Sequence, residues 1–316
     1  MQITVSTWER FRLSSMEIAF IGLGRMGGNM ARRLMRSGFR VVGYDHNPTA
    51  AQALAAEGLV AAASLSELVG QLSAPRTVWL MLPAGEITEA TLNTLSTLLA
   101  PGDLLIDGGN AYYKDSQRRA AALAEKGIQF ADVGVSGGVW GLENGYGLMY
   151  GSPEAVEGRL EPLMKALAPA PDKGWLRAGP VGAGHFTKMV HNGIEYGMMQ
   201  ALAEGLNLIH HKRDLNVDLA ALTEAWRYGT VIRSWLLDLT AQYLASDQSL
   251  ERIAPVVEDS GEGRWTVLEA IELGVPIPVI TQSLYTRFES QDPEDYDERL
   301  LAIMRKMFGG HAVTKL

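Results

Sequence analysis

The chain has 316 residues, 47% of them hydrophobic and 20% charged, enough for two domains with cores of their own. A formal net charge of −8, with no run of lysines and arginines, argues against nucleic acid and anionic membrane as partners but leaves room for a local anion pocket. There is no cysteine, so disulfides and thiolate metal sites are excluded and a reducing, cytoplasmic setting is expected.

Residues 1–15 include Trp8-Glu9-Arg10-Phe11-Arg12 but no apolar core of the kind a signal peptide carries, so they are expected to form a flexible leader, with Met16 a candidate start. No apolar run anywhere reaches the roughly 18 residues of a membrane span. Glu17-Ile18-Ala19-Phe20-Ile21 reads as a short buried strand running into Gly22-Leu23-Gly24-Arg25-Met26-Gly27 and then a helix that ends near Ser37-Gly38. Val41 to Asp45 is the next strand, with Pro48 at a helix start. The alternation repeats: strands at 78–82, 104–107 and 128–131, helices near 49–57, 64–72, 86–99 and 112–125. Strands alternating with helices of this length predict a parallel, doubly wound α/β Rossmann sheet. From about Pro180 the pattern changes to helices alone, near 182–212, 217–228, 230–245, 264–273, 277–290 and 294–308. The expected organisation is therefore a leader over 1–15, a dinucleotide-binding domain over 16–180 and an all-α C-terminal domain over 181–316.

A Gly-x-Gly-x-x-Gly run is weak by itself. Here it follows a strand, opens a helix and stands near the start of the regular structure, so its backbone N–H groups are placed to cradle a pyrophosphate. Asp45 stands 18 residues after Gly27, where a carboxylate accepts from a ribose 2′-hydroxyl and repels a 2′-phosphate. Gly22, Leu23, Gly24, Arg25, Met26, Gly27 and Asp45 are thus the candidate cofactor residues. Asp45 favours NAD, while His46 and Arg25 leave NADP open. Farther along, Leu82 and Pro83 could wall a nicotinamide, Asp107-Gly108-Gly109-Asn110 offers an amide, and Ser136-Gly137-Gly138 offers a hydroxyl with backbone donors. Taken singly, each of these glycine clusters reads more readily as a plain turn.

The polar residues Lys188, His191, Asn192 and Glu195 recur at i, i+3, i+4 and i+7, on one face of a helix with Tyr196 at its edge. Phe186, Met189, Val190, Ile194 and Met198 take the other directions, so the helix is expected to be largely buried. A solvated face holding one Lys–Glu pair would show the same spacing. An amine, imidazole, amide and carboxylate together are also the parts of an acid–base site.

These motifs together resemble the 6-phosphogluconate dehydrogenase family, over about Met16 to His311. The resemblance rests on Gly22 to Gly27, Ile106-Asp107-Gly108-Gly109-Asn110, Val135-Ser136-Gly137-Gly138 and, most specifically, Lys188-Met189-Val190-His191-Asn192-Gly193-Ile194-Glu195-Tyr196. It implies that Lys188 is the general base and then acid at the substrate 3-hydroxyl, and that Glu195 protonates C1 after carbon dioxide leaves. It further implies that Asn110, Ser136, Gly137, Gly138, His191 and Asn192 hold the carboxylate and hydroxyls, and that Tyr196 and Arg287 hold the phosphate. Arg305-Lys306-Met307-Phe308-Gly309-Gly310-His311 resembles a C-terminal tail whose Arg305 and His311 reach a neighbouring subunit, which implies a homodimer or homotetramer. The chain looks like the short branch, which lacks a duplicated helical half. One stretch departs: Ser260-Gly261-Glu262-Gly263-Arg264-Trp265-Thr266 stands where longer members read Lys-Gly-Thr-Gly-Lys-Trp-Thr, and a Glu262 turned inward would repel a phosphate.

The chemistry suits the residues. Alcohol oxidation needs a base for the hydroxyl proton, and a lysine serves once partial burial or a nearby positive charge favours its neutral form. The resulting β-keto acid loses carbon dioxide when its carbonyl is hydrogen-bonded, and a carboxylic acid then supplies a proton to carbon. No metal is required. Two alternatives compete: a β-hydroxyacid dehydrogenase acting on a small hydroxy acid without decarboxylation, and a non-catalytic dinucleotide-binding protein on the same fold.

Overall fold

A computed structural model describes residues 16–309 and 312–314; the leader and His311 lie outside the described residues. The chain divides into two compact units, parted in sequence between His191 and Asn192.

The first unit is an eight-stranded sheet in the order β3-β2-β1-β4-β5-β6-β7-β8. Its strands are β1 (Glu17–Ile21), β2 (Arg40–Tyr44), β3 (Val60–Ala61), β4 (Thr77–Leu80), β5 (Leu104–Asp107), β6 (Gln129–Ser136), β7 (Gly147–Gly151) and β8 (Trp175–Gly179). Helices α1 (Arg25–Arg36), α2 (Pro48–Ala55), α3 (Leu65–Gly70), α4 (Glu86–Leu98), α5 (Tyr113–Ala124), the single turn α6 (Gly141–Asn144) and α7 (Glu157–Leu167) connect them. The central strands are apolar runs rather than alternating ones because helices cover both faces. Ile18, Phe20, Trp79 and Ile106 pack under Met30, Leu34, Leu160 and Leu163 on one side, and Phe20 stacks on Trp79 with ring centroids 5.8 Å apart. Ala19, Ile21, Val78, Leu80 and Leu105 pack under Leu68, Leu92, Leu95 and Leu123 on the other. Local chemistry starts the helices: Asn47 caps α2 through the Thr49 N–H with Pro48 in the first turn, and Ser64 caps α3 through the Glu67 N–H.

Strands β1 to β6 are parallel, as the alternation predicts, but β7 runs antiparallel to β6 and carries β8 parallel to itself. Neither β7 nor β8 is visible as a strand in the sequence. Gly147-Leu148-Met149-Tyr150-Gly151 is a short apolar segment between two glycines, and β8 is held by its pairing with β7 rather than by alternation. β6 is also longer than predicted, because its second half pairs with β7 beyond the end of β5.

The helix α8 (Ala183–His211) begins in this unit and is unbroken through the dividing point. The second unit holds its remainder with α9 (Leu219–Trp226), α10 (Trp235–Leu244), α11 (Glu262–Leu273), α12 (Pro278–Gln291) and α13 (Tyr296–Gly309). Asp218 caps α9 and Ser234 caps α10. Its buried apolar groups are small: Tyr196, Val267 and Leu284 in one, Leu206, Leu219 and Leu244 in the other. Many large apolar side chains stay exposed within it, including Ile271 at 71% and Val279 at 66%. The expectation that α8 is buried around most of its girth is corrected here. Met189 is buried, but Ile194 and Met198 are about half exposed, because no element among the described residues covers that flank of the helical unit.

Candidate active site

Register brings the chemistry to one edge of the sheet. Ile21 pairs with Leu80, Leu80 with Asp107 and Asp107 with Asp132, so the carboxyl ends of β1, β4 and β5 lie in a row, level with the middle of β6. Ligands of open parallel sheets collect beyond such a row.

At β1 the glycine turn is set by close backbone approach. Gly22 has φ +88°, and a Cβ on Gly27 would stand 1.9 Å from the Gly22 carbonyl oxygen. Gly24, by contrast, is exposed and has nothing within 4 Å of where a Cβ would be. That space lies over the start of α1, whose first turn holds no acid and whose first N–H groups have no partner within the helix. A dinucleotide pyrophosphate fits such a cradle. Asp45 does not end β2 but follows it, and its carboxylate accepts from the Leu23 N–H at 2.6 Å and the Asn47 N–H at 2.8 Å. The acid therefore braces the turn from the side. Arg25 and His46 are exposed beside it, and Met26 is half-buried.

At β4 and β5, Leu82 is half-buried and Pro83 exposed, and a Cβ on Gly109 would fall 2.5 Å from the Leu82 carbonyl oxygen. The turn that presents Asn110 is stiffened by Asp107, which accepts from the Gly109 N–H at 3.0 Å and pairs with the buried Arg119 at 2.9 Å. Removing one partner of a buried pair leaves the other charge uncompensated, at a cost of about 3–5 kcal/mol, so Asp107 belongs to the scaffold. Ser136 ends β6, and Gly137 (φ +130°) and Gly138 (φ +53°) turn the chain there, with Gly138 exposed.

Lys188, on the second turn of α8, is half-buried, and its Nζ donates to the Asn110 Oδ1 at 3.2 Å. Residues that the sequence alone did not single out put it there. Asp132, buried in β6, accepts from the Gly182 and His185 N–H groups at 2.6 and 2.7 Å and so caps the start of α8. Burial pushes the Asp132 carboxyl above the ordinary aspartate range, against the pull of His185 and these N–H bonds. His185, 2% exposed, shares a hydrogen bond of 2.7 Å between its Nδ1 and the Ser116 hydroxyl, tying the same turn to α5. Gly134 makes the room, since a Cβ there would stand 2.3 Å from the Lys188 Cβ. A glycine inside the strand Val133-Gly134-Val135 is the one sequence signal that marks such a close approach.

In the second unit, Tyr196 is buried, and its hydroxyl accepts from the Ser260 N–H at 3.1 Å. The Arg287 guanidinium stacks 3.4 Å over the Tyr196 ring and donates to the Glu258 carbonyl at 2.9 Å. Asn192 donates through Nδ2 to Glu262 at 2.7 Å. Tyr196, Arg287, Asn192 and the 258–263 stretch thus come together. Glu262 is turned inward and buried, with its Oε1 engaged by the Asn192 amide. Glu195 is half-buried, His191 is exposed, and Arg305 stands exposed on α13. Among the described residues no group of three or more His, Cys, Asp or Glu side chains could hold a metal ion, and no helix is long and apolar enough to cross a membrane.

Residues 17–176 match the NAD binding domain of 6-phosphogluconate dehydrogenase, and residues 184–314 match the 6-phosphogluconate dehydrogenase C-terminal domain. The chain belongs to the 6-phosphogluconate dehydrogenase family. It is 40% identical to the NAD(+)-dependent, decarboxylating 6-phosphogluconate dehydrogenase of Haloferax volcanii over 95% of this chain and 99% of that one. Among solved structures, 6-phosphogluconate dehydrogenase of Plasmodium falciparum superposes with a TM-score of 0.80 at 29% identity, covering 95% of this chain and 66% of that one. A 3-hydroxyisobutyrate dehydrogenase from Salmonella typhimurium superposes with a TM-score of 0.73 at 25% identity, over 87% and 94% of the two chains. The chain is therefore an NAD(P)-binding oxidoreductase of this family, with a mostly parallel Rossmann sheet followed by a helical domain.

Proposed function

We propose that this chain oxidises and decarboxylates 6-phospho-D-gluconate to ribulose 5-phosphate and carbon dioxide, with residues 16–180 as the cofactor domain and 181–316 as the substrate and assembly domain. The observation that carries the reading is the Lys188 amine, half-buried and hydrogen-bonded to Asn110 at the carboxyl edge of the sheet that bears the glycine turn. A dinucleotide held by the Gly22–Gly27 turn and Asp45 would supply the hydride acceptor for C3. Lys188 takes the proton of the 3-hydroxyl as that hydride leaves, and Asn110, accepting from the amine, directs its lone pair. The product is a β-keto acid. Lys188, now an ammonium, donates to the new carbonyl oxygen, so the electron pair of the breaking C1–C2 bond has a stabilised place to go. Carbon dioxide departs, and Glu195 delivers a proton to the carbon it leaves, which becomes C1 of the product. Lys188 and Glu195 are two turns apart on the unbroken α8, a spacing that suits a short sugar acid lying along the helix. Ser136, Gly137, Gly138, His191 and Asn192 hold the carboxylate and hydroxyls, and Tyr196 with Arg287 holds the phosphate. The exposed apolar side chains of the helical unit support assembly with further copies of this chain, whose Arg305 and His311 would complete the phosphate site.

A β-hydroxyacid dehydrogenase acting on a smaller acid without decarboxylation is the second reading, supported by the likeness to 3-hydroxyisobutyrate dehydrogenase. The stacked Tyr196–Arg287 pair weighs against it, since a substrate without a phosphate has no use for that cation. Incubating the protein with 6-phosphogluconate and NAD should release one carbon dioxide per reduced cofactor; reduction without carbon dioxide would select the second reading. Asp45 supports NAD over NADP. Asp45→Ala should raise the KM for NAD about tenfold, the loss of one charge-assisted hydrogen bond, and that for NADP much less. An unchanged ratio of the two would move cofactor choice to another residue.

A further inference from the structure

Glu262 is 2% exposed, and its Oε1 lies 2.7 Å from the Asn192 Nδ2. We propose that Glu262 is a positioning residue that fixes which end of the Asn192 amide is offered to the substrate, making Asn192 a hydrogen-bond acceptor for a sugar-acid hydroxyl. The inference deepens the reading above and rests on it.

An amide carries donors at one end and an acceptor at the other, and in a neutral setting either end can face a neighbour. A carboxylate has no proton to give. It therefore draws the NH2 end of Asn192 toward itself and turns the carbonyl end away, toward whatever else approaches. The charged partner also makes this the stronger kind of hydrogen bond. Glu262 is the first residue of α11, where the helix dipole favours its negative charge, and the preceding Gly261 (φ +99°) has no side chain with which to cap the helix.

The backbone that carries this carboxylate is held in place. The Thr266 hydroxyl donates to the Glu262 carbonyl at 2.7 Å. Close seats on either side hold α11 against α8: a Cβ on Gly193 would stand 3.0 Å from the Thr266 Cγ2, and one on Gly263 2.6 Å from the Tyr196 ring. A neutral residue at 262 would start the same helix without burying a charge, which proteins seldom do unless the charge is engaged. What a carboxylate adds, and a neutral side chain cannot, is one-way polarity. Asn192 stands one helical turn after Lys188, where an acceptor would read a substrate hydroxyl close to the reacting carbon.

Steady-state kinetics on the full chain tests this with three variants. In E262Q the amide orientation is no longer enforced, so the KM for 6-phosphogluconate should rise about tenfold while kcat and the KM for NAD stay within about threefold. N192D sets two carboxylates face to face and should raise that KM further. The double variant N192D/E262Q reverses the pair: the new amide at position 262 donates to the new carboxylate at position 192, which still shows the substrate an acceptor. Its KM should return close to the wild-type value. Thermal midpoints on the same samples identify a merely structural role, in which KM would follow stability and the double variant would rescue neither. Wild-type turnover with an unmoved KM in E262Q, or with no rescue in the double variant, overturns this inference alone. Absence of wild-type turnover of 6-phosphogluconate overturns the proposed function and this inference together.

Discussion

Lys188→Ala is expected to lower kcat for 6-phosphogluconate about 10²- to 10⁴-fold, the range that a positioned acid–base group contributes, while the dissociation constant for NAD changes by no more than about twofold. The separation arises because the side chain reaches Asn110 beyond β5, whereas the proposed cofactor cradle is made of backbone at the start of α1 and of Asp45. Both proposed proton transfers at the substrate oxygen use this one amine, so no second group in the proposed site takes over when it is cut back. Stopped-flow formation of reduced cofactor in a single turnover is the direct measurement, because it reads hydride transfer before product release. Hydride transfer at the wild-type rate would remove Lys188 from the base role.

Gly134→Ala is expected to lower kcat about 10²-fold without touching the lysine, because a misplacement of about 1 Å at a reacting group costs that much. The added methyl would stand 2.3 Å from the Lys188 Cβ, 2.8 Å from its Cγ and 2.8 Å from the Gly184 carbonyl oxygen. None of these is the far end of a flexible side chain, so relief comes only by moving the first turns of α8 off the sheet. Asp132 and His185 resist that movement by holding the same turns to β6 and α5. Overpacking of this kind also destabilises by about 1–3 kcal/mol, which a thermal melt would register. NAD affinity should be kept, since the glycine turn is built on β1. A variant with wild-type kcat and stability would mean that the helix can shift at this point without cost to the chemistry.

The parts of the fold that were legible in the sequence are those where local pattern and final environment agree. Glu17–Ile21 is an apolar run because both faces of β1 are covered, and the glycine turn, Asn47-Pro48 and Ser64 punctuate the chain with chemistry that acts within a few residues. The six predicted helices of the second half are found within a few residues of their expected ends, apart from the later start of α10. β7 and β8 were not legible, because their strand conformation depends on partners far along the chain. Gly151 is needed where the strand packs under the Pro180 carbonyl and the Asp132 side chain, residues far from it in sequence.

The identity of the polar stripe on α8, the glycine turn and its acid followed from residue type and spacing alone, because helix periodicity and backbone sterics are local rules. Where those residues are aimed did not. Asp45 bracing Leu23, Asp132 capping α8, Gly134 admitting Lys188, and Glu262 turning toward Asn192 are pairings between residues 22 to 70 positions apart. Only the packed chain decides them, since each depends on which surfaces come within a hydrogen bond of one another once the apolar faces are buried.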